Sequence, residues 1–266
     1  MSKSLSEILK NTVDYLKFQR DYGNLYFYDE KIVVSDNDNL IFKTETTNET
    51  VKPKKSEASF VKESNNSVKS AELWQKAKNI DELNSLICNC KKCILGNLRN
   101  NFVFGTGNPE ARVVVVGEAP GGDEDREGKP FVGRAGKKLT EILAAIKFAR
   151  EDVFICNILK CRPPDNRNPL PDEIQKCEPY LFKQLELIKP SLILALGTFA
   201  AQTLLKTSLP LGKLRGTFHD FEINGNKIKL LVTFHPAALL RNPNWRRPTW
   251  EDVQMFRKEY DLIYSK

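Results

Sequence analysis

The chain has no uninterrupted apolar run of the ~18 residues that a membrane-spanning helix needs, and no such span is expected. Its first residues, MSKSLSEILKNTVDYL, contain neither an apolar h-region nor a small-residue cleavage site, so secretion is not expected either. Two nucleotide-binding signatures are missing. Gly117 and Gly121 have the wrong spacing for GxGxxG, which removes the dinucleotide fingerprint. Gly128-Lys129 follows Gly122 by six residues rather than five, and Pro130 stands where a hydroxyl residue is required. The phosphate loop is therefore excluded as well. There are only two histidines and six cysteines. In a chain without an export signal, cysteines point to metal or cluster ligation before a disulfide framework.

What is present is a chain of 266 residues, 41% hydrophobic, with a formal charge of +7. Residues 1–70 carry 11 basic and 11 acidic side chains, so the whole excess lies in 71–266. A basic excess on the folded part suits a nucleic-acid partner. Three regions follow. Residues 1–34 form an amphipathic and aromatic segment, with Leu5, Ile8, Leu9, Val13 and Leu16 at helical spacing; a protein partner or the main domain would receive it. Residues 35–70 are polar, without apolar period, and read as a flexible linker. Residues 71–266 form the folded domain.

In that domain the runs 112–117, 153–158, 191–196 and 228–234 are continuously apolar, as expected of strands covered on both faces. Helical patterns lie between them: Leu139, Ile142, Leu143 and Ile146 make one stripe, and 172–188 and 199–206 make others. A last helix is expected from an N-cap at Thr249, and FEINGNKIK reads as a hairpin turning at Asn224-Gly225. The alternation implies an α/β fold, a three-layer α/β/α sandwich around a mostly parallel four-stranded sheet. Ligands in such folds bind beyond the carboxyl ends of the strands. That rule selects GEAPGG (117–122), Asn157 onward, GTFAA (197–201) and HPAALLRN (235–242). A glycine-rich turn at a strand end offers backbone N–H groups to an anion. His235 stands at such an end; His219 precedes the hairpin and is given no role.

The cysteines form Cys90-x2-Cys93 and Cys161-x15-Cys177. Two thiolate pairs can close one tetrahedral or cubane site, and the spacing does not separate zinc from iron–sulfur. Cys156 lies within an apolar run as a core thiol, and Cys88 neighbours the site.

Together, GEAPG (117–121), GKPFVGRAG (128–136), NILKCRPPDNRNP (157–169), LALGTFAA (194–201) and HPAALLRNP (235–243) resemble the family 4 uracil-DNA glycosylases, the iron–sulfur branch of their superfamily. The resemblance covers about residues 85–264. It implies hydrolysis of the N-glycosidic bond of deoxyuridine in DNA, leaving an abasic site, by an intracellular, cytoplasmic and nucleoid-associated monomer. It also implies a [4Fe–4S] cluster on Cys90, Cys93, Cys161 and Cys177. Gly117, Ala119, Phe131 and Asn157 would hold the flipped base, with Phe131 stacking on it and Asn157 reading its edge. His235 would support uracil O2. Glu118 and Glu124 match carboxylates that orient water or stabilise the sugar cation. Family 1 enzymes carry Asp where this chain has Ala119, so the general base is one of these glutamates or none. Leu239 or Leu240 would wedge the duplex, and Lys137, Lys213 (with Arg215) and Arg241 would meet phosphates. The chain departs from the family in its N-terminal extension, and it lacks the Arg/His-rich insertion of relatives that trap uracil covalently. GEAPG rather than GLAPG argues against family 5. A nucleic-acid-binding scaffold and a zinc-dependent nucleotide hydrolase are the competing classes. A pure scaffold has no use for Glu118, Phe131, Asn157 and His235 together.

Overall fold

The four apolar runs become four adjacent parallel strands. The computed structural model describes residues 73–264; the expectations for residues 1–34 and 35–70 lie outside the described residues. The strands are β1 (Thr106–Gly107), β2 (Val113–Gly117), β3 (Phe154–Asn157), β4 (Leu192–Leu196), β5 (Phe218–Ile223) and β6 (Asn226–Thr233). Their order across the sheet is β1-β3-β2-β4-β6-β5. The inner pairs β3–β2, β2–β4 and β4–β6 are parallel; β1 and β5 add antiparallel edges. The sheet is thus two strands wider than the apolar runs alone suggest. The edge β5 arises from the expected hairpin, whose Asn224 and Gly225 both take positive φ (49° and 79°), as a type I′ turn requires.

The helices are α1 (Ile80–Ile87), α2 (Leu95–Leu98), α3 (Gly122–Glu127), α4 (Arg134–Ala145), α5 (Pro171–Ile188), α6 (Gly197–Leu205), α7 (Leu211–Leu214), α8 (Pro236–Arg241) and α9 (Arg246–Tyr264). Alternate strand residues point to opposite faces, and both faces are buried. Val114, Val116, Cys156 and Ile193 pack with Leu83, Leu181 and Ala201 from α1, α5 and α6. Val113, Val115, Ile155 and Leu194 pack with Leu139, Leu143 and Phe256 from α4 and α9. This double burial is why the strands read as continuous apolar runs rather than alternating ones.

One helix boundary differs from expectation. Thr249 is not an N-cap: α9 already begins at Arg246. Pro248 falls in the first turn, where its missing N–H has no intrahelical partner to lose. The Thr249 hydroxyl is buried and donates to Trp245 O at 2.7 Å. Among the described residues no helix is long and apolar enough to cross a membrane.

From β2 the chain passes to β3 on one side and then crosses to β4 on the other. The loops leaving β2 and β4 therefore diverge, opening a crevice at the carboxyl ends of these strands.

Candidate functional site

At that crevice four predicted residues meet. Gly117 ends β2 and lies beside Asn157, the last residue of β3. A Cβ at position 117 would come within 2.4 Å of Asn157 Oδ1 and 2.5 Å of the Phe131 ring, so only glycine lets the amide and the ring approach the strand tip. Asn157 is buried, and its Oδ1 has no hydrogen-bond partner. Its backbone carbonyl accepts from Lys160 Nζ at 2.7 Å. An orphaned buried acceptor costs about 1–3 kcal/mol, so this oxygen marks a place where a ligand donor belongs.

Phe131 is buried, and its ring centroid lies 5.5 Å from that of His235, with the planes 33° apart. Its φ is +54°, a region that bulky side chains seldom enter. The loop is held there by Glu124, whose Oε1 accepts from Val132 N (3.1 Å) and Gly133 N (3.2 Å) and whose Oε2 accepts from Gly121 N (3.1 Å). Gly136 matters on the other side, because a Cβ there would fall 1.8 Å from Phe131 O. Three backbone donors thus engage the carboxylate expected to be catalytic at position 124, and its visible effect is to place Phe131. The neighbouring Asp125 is not solvated either. It is buried and accepts from Asn100 N at 2.9 Å and Asn100 Nδ2 at 2.6 Å, tying the 99–101 loop to α3.

His235 caps α8: its Nδ1 accepts from Ala237 N at 3.2 Å. An accepting Nδ1 is unprotonated, so Nε2 carries the hydrogen. Burial, reinforced by the Arg241 charge, lowers the imidazole pKa to about 4. The ring is therefore a neutral donor throughout the physiological range. Glu118, just past β2, moves the other way: burial raises its carboxyl to about 7, against the pull of Arg241. Ala119 packs on the core beside it and supplies no carboxylate.

Of the two leucines in HPAALLRNP, Leu239 is buried and Leu240 is 42% exposed. Arg241 and Lys213 are exposed, on α8 and α7, and Lys137 is exposed in the first turn of α4. Arg215, paired with Lys213 in the sequence reading, is instead engaged by buried Asp252 (3.1 and 2.7 Å) and Pro248 O (2.7 Å). It ties α9 to the loop before β5. Arg167 is held bidentately by buried Glu173, at 2.9 and 2.6 Å. A cavity of about 440 Å³ opens at the opposite, amino ends of the strands, lined by Arg112, Phe148, Arg257 and Tyr260; it contains none of the strand-tip side chains.

The cysteines gather on the α1–α5 face. Cys90 and Cys93 lie between α1 and α2, Cys161 follows β3, and Cys177 is in α5. Burial raises the thiol pKa of Cys161, the hydrogen bond and charge of Arg99 oppose that rise, and the neighbouring Cys93 and Cys90 add smaller increases. Cys177 is pushed to about 12, mainly by burial, with Cys161 and Cys90 adding to it. Each of three sulfurs also has a donor: Tyr180 Oη to Cys90 at 3.3 Å, Arg99 Nη1 to Cys161 at 3.1 Å, and Lys160 N to Cys177 at 3.3 Å. Arg99 also donates to Cys90 O and Cys88 O. Donors and a guanidinium facing sulfur stabilise thiolates, so the set suits a group that takes sulfur in anionic form. Among the described residues no three His, Cys, Asp or Glu converge as a site for a single metal ion. Cys156 is a buried core thiol, as its strand position predicts, and Cys88 donates to Ser85 O.

Sequence reasoning missed Arg99, Tyr180 and Lys160. Arg99 and Tyr180 lie outside every motif and meet the cysteines only through the fold. Lys160 stands within one, but nothing local shows that it is completely buried, with Nζ on Asn157 O and Gln184 Oε1 (2.6 Å). It links the cysteine face to the strand tip.

The family model described as "Uracil DNA glycosylase superfamily" matches residues 104–254. The chain is similar to the type-4 uracil-DNA glycosylase of Archaeoglobus fulgidus, 47% identical over 193 residues, covering 71% of this chain and 96% of that protein. It is also similar to the type-4 enzyme of Saccharolobus solfataricus, at 46% over 71% of this chain and 88% of that protein. A third similar protein is the type-4 enzyme of Thermotoga maritima, at 45% over 62% and 86%.

Proposed function

This chain belongs to the uracil DNA glycosylase superfamily, and from that premise we propose that it hydrolyses the N-glycosidic bond of deoxyuridine in DNA, releasing uracil and leaving an abasic site. The observation that carries the proposal is the unpartnered Asn157 Oδ1 beside Phe131 and His235. A flipped uracil presents N3–H to that oxygen and O4 to the amide nitrogen. The Phe131 ring covers the base, and His235 Nε2–H donates to O2 as the leaving group becomes an anion. Glu118 acts in its ionised form, stabilising the sugar cation or orienting water; Glu124 is a positioning residue for Phe131. Leu240 fills the gap in the stack, and Lys137, Lys213 and Arg241 meet phosphates. Incubating the protein with a uracil-containing oligonucleotide, followed by alkaline cleavage, tests the activity. An intact strand would reject it.

The raised Glu118 pKa gives a pH signature. Uracil release should climb with pH and level off above about 7, where the carboxylate is charged. His235, neutral above about 4, contributes no limb in that range. Single-turnover rates for Glu118→Gln should be low and flat through the same window. An unchanged limb in that variant would assign it elsewhere. The same shift acts on stability. Between pH 4.5 and about 7 the folded chain retains a proton that the unfolded chain has lost, so the stability contribution of this group declines as pH rises through that window.

Cys90, Cys93, Cys161 and Cys177 hold a [4Fe–4S] cluster in this proposal. When bound, the cluster supplies a structural cross-link between α5 and the loops after α1 and β3. A single zinc ion would need its sulfurs within about 2.3 Å of one centre, whereas a cubane gives each thiolate its own iron. Protein purified anaerobically should be brown, with roughly four iron atoms per chain, and Cys177→Ser should lose iron. A colourless protein containing zinc would reject the assignment. The same reading makes the enzyme an intracellular monomer, with residues 1–34 as a docking segment for a protein partner and 35–70 as its linker.

A further inference from the structure

We propose that Trp245, stacked on Phe234, is a binding platform for an unpaired nucleobase of single-stranded DNA next to the flipped nucleotide. The inference rests on the DNA-binding part of the function proposed above and adds a site to it.

Phe234 is the residue immediately before His235, so it lies at the rim of the crevice. The Trp245 indole is parallel to it, with centroids 4.9 Å apart and planes within 6°. The Arg215 guanidinium also lies 5.3 Å from the Phe234 ring centroid, and Arg215 is fixed by buried Asp252. Phe234 is thus held between its own strand end and a fixed guanidinium contact, and the indole is stacked on it. Trp245 itself is 37% exposed. Its backbone is also fixed, since Thr249 Oγ1 donates to its carbonyl at 2.7 Å. A rigid aromatic face loses little entropy on binding, and every base has a π-face to offer it.

The surroundings identify the ligand. Leu240, 42% exposed, lies five residues before Trp245, and Arg241 and Arg246 are exposed on either side. An exposed aromatic ring flanked along the chain by exposed cations suits a single strand, bases on the ring and phosphates on the cations. In an intact duplex the neighbouring bases are already stacked on each other and do not need the indole. The platform therefore favours single-stranded over duplex DNA.

The test uses the full chain and a uracil-free oligothymidine, so that uracil recognition plays no part. Trp245→Leu, which keeps an apolar cover on Phe234 without a planar face, should bind the single strand on the order of tenfold more weakly. Trp245→Phe should remain within about threefold of the parent chain. Binding to a duplex of the same length should change little in either. Trp250→Phe, altering another exposed tryptophan (43%), should behave as the parent. Indole emission should be quenched by the oligonucleotide, and that quenching should disappear in Trp245→Phe but persist in Trp250→Phe. Parent-like binding by Trp245→Leu, or equal weakening on both DNA forms, would overturn the platform. Uracil release from a duplex by the parent chain separates this outcome from failure of the glycosylase reading.

Discussion

His235→Ala should slow uracil release by about 100- to 1,000-fold, the usual loss when one donor aimed at a developing oxyanion is removed. The expectation depends on which hydrogen the ring carries. Nδ1 is occupied as the acceptor of Ala237 N–H, so Nε2–H is the hydrogen left to donate. With a pKa near 4, the ring does this as neutral imidazole and keeps its proton. A donor of this kind acts most strongly when O2 becomes anionic, so the loss should appear in the single-turnover rate and only weakly in DNA affinity. The substitution also removes the α8 cap, worth about 0.5–2 kcal/mol of stability. His235→Asn separates the two effects, because it restores a capping oxygen without restoring Nε2–H. Asn should regain thermal stability and remain slow. Near-parent rates in the alanine variant, measured on folded protein, would remove His235 from the chemistry.

The sequence made the sheet legible because its strands are buried on both faces. The runs at 112–117, 153–158, 191–196 and 228–234 needed no alternation to be recognised, and even the NG turn of the hairpin was readable. The edge strand β1 was not, since two residues carry no period. Gly117, Asn157 and His235 were legible as strand-tip residues and Phe131 through the motif GKPFVGRAG alone, and the structure brings the four together. Positional support was less visible. Glu124 looks like a catalytic or solvated carboxylate in GGDED, and only the fold shows three backbone donors converging on it. Arg215 looks like a phosphate contact in LGKLRG until its buried partner, Asp252, arrives from 37 residues away. Charge in a sequence does not declare whether it is spent inside the protein; that depends on partners brought in by topology.

Asn157→Asp should collapse the preference for uracil over cytosine. A site built to hydrogen-bond one polar edge rejects the other by about 10⁴- to 10⁵-fold, because mismatched groups are left buried and unpaired. With asparagine the match is one-way: Oδ1 takes N3–H and Nδ2 gives to O4. Cytosine offers an acceptor at N3 and a donor at N4, so both contacts become like against like. The rotation that would rescue cytosine is opposed by the confinement of the amide between Gly117, Phe131 and the β3 backbone. An ionised aspartate cannot donate to O4, and it accepts from cytosine N4–H. A protonated one can carry its hydrogen on either oxygen, so it can also offer the donor–acceptor order that cytosine needs. The ionised form loses the donor to O4 and the protonated form admits cytosine, so both narrow the uracil-to-cytosine ratio, by about 1,000-fold or more. Burial lowers the pKa of Lys160, whose Nζ lies 2.7 Å from the carbonyl of residue 157, and burial likewise disfavours the charged form of a carboxyl placed there. Rates on matched oligonucleotides carrying uracil or cytosine at one position decide the matter. If the ratio is unchanged while both rates fall, Asn157 shapes the pocket and another group reads the base.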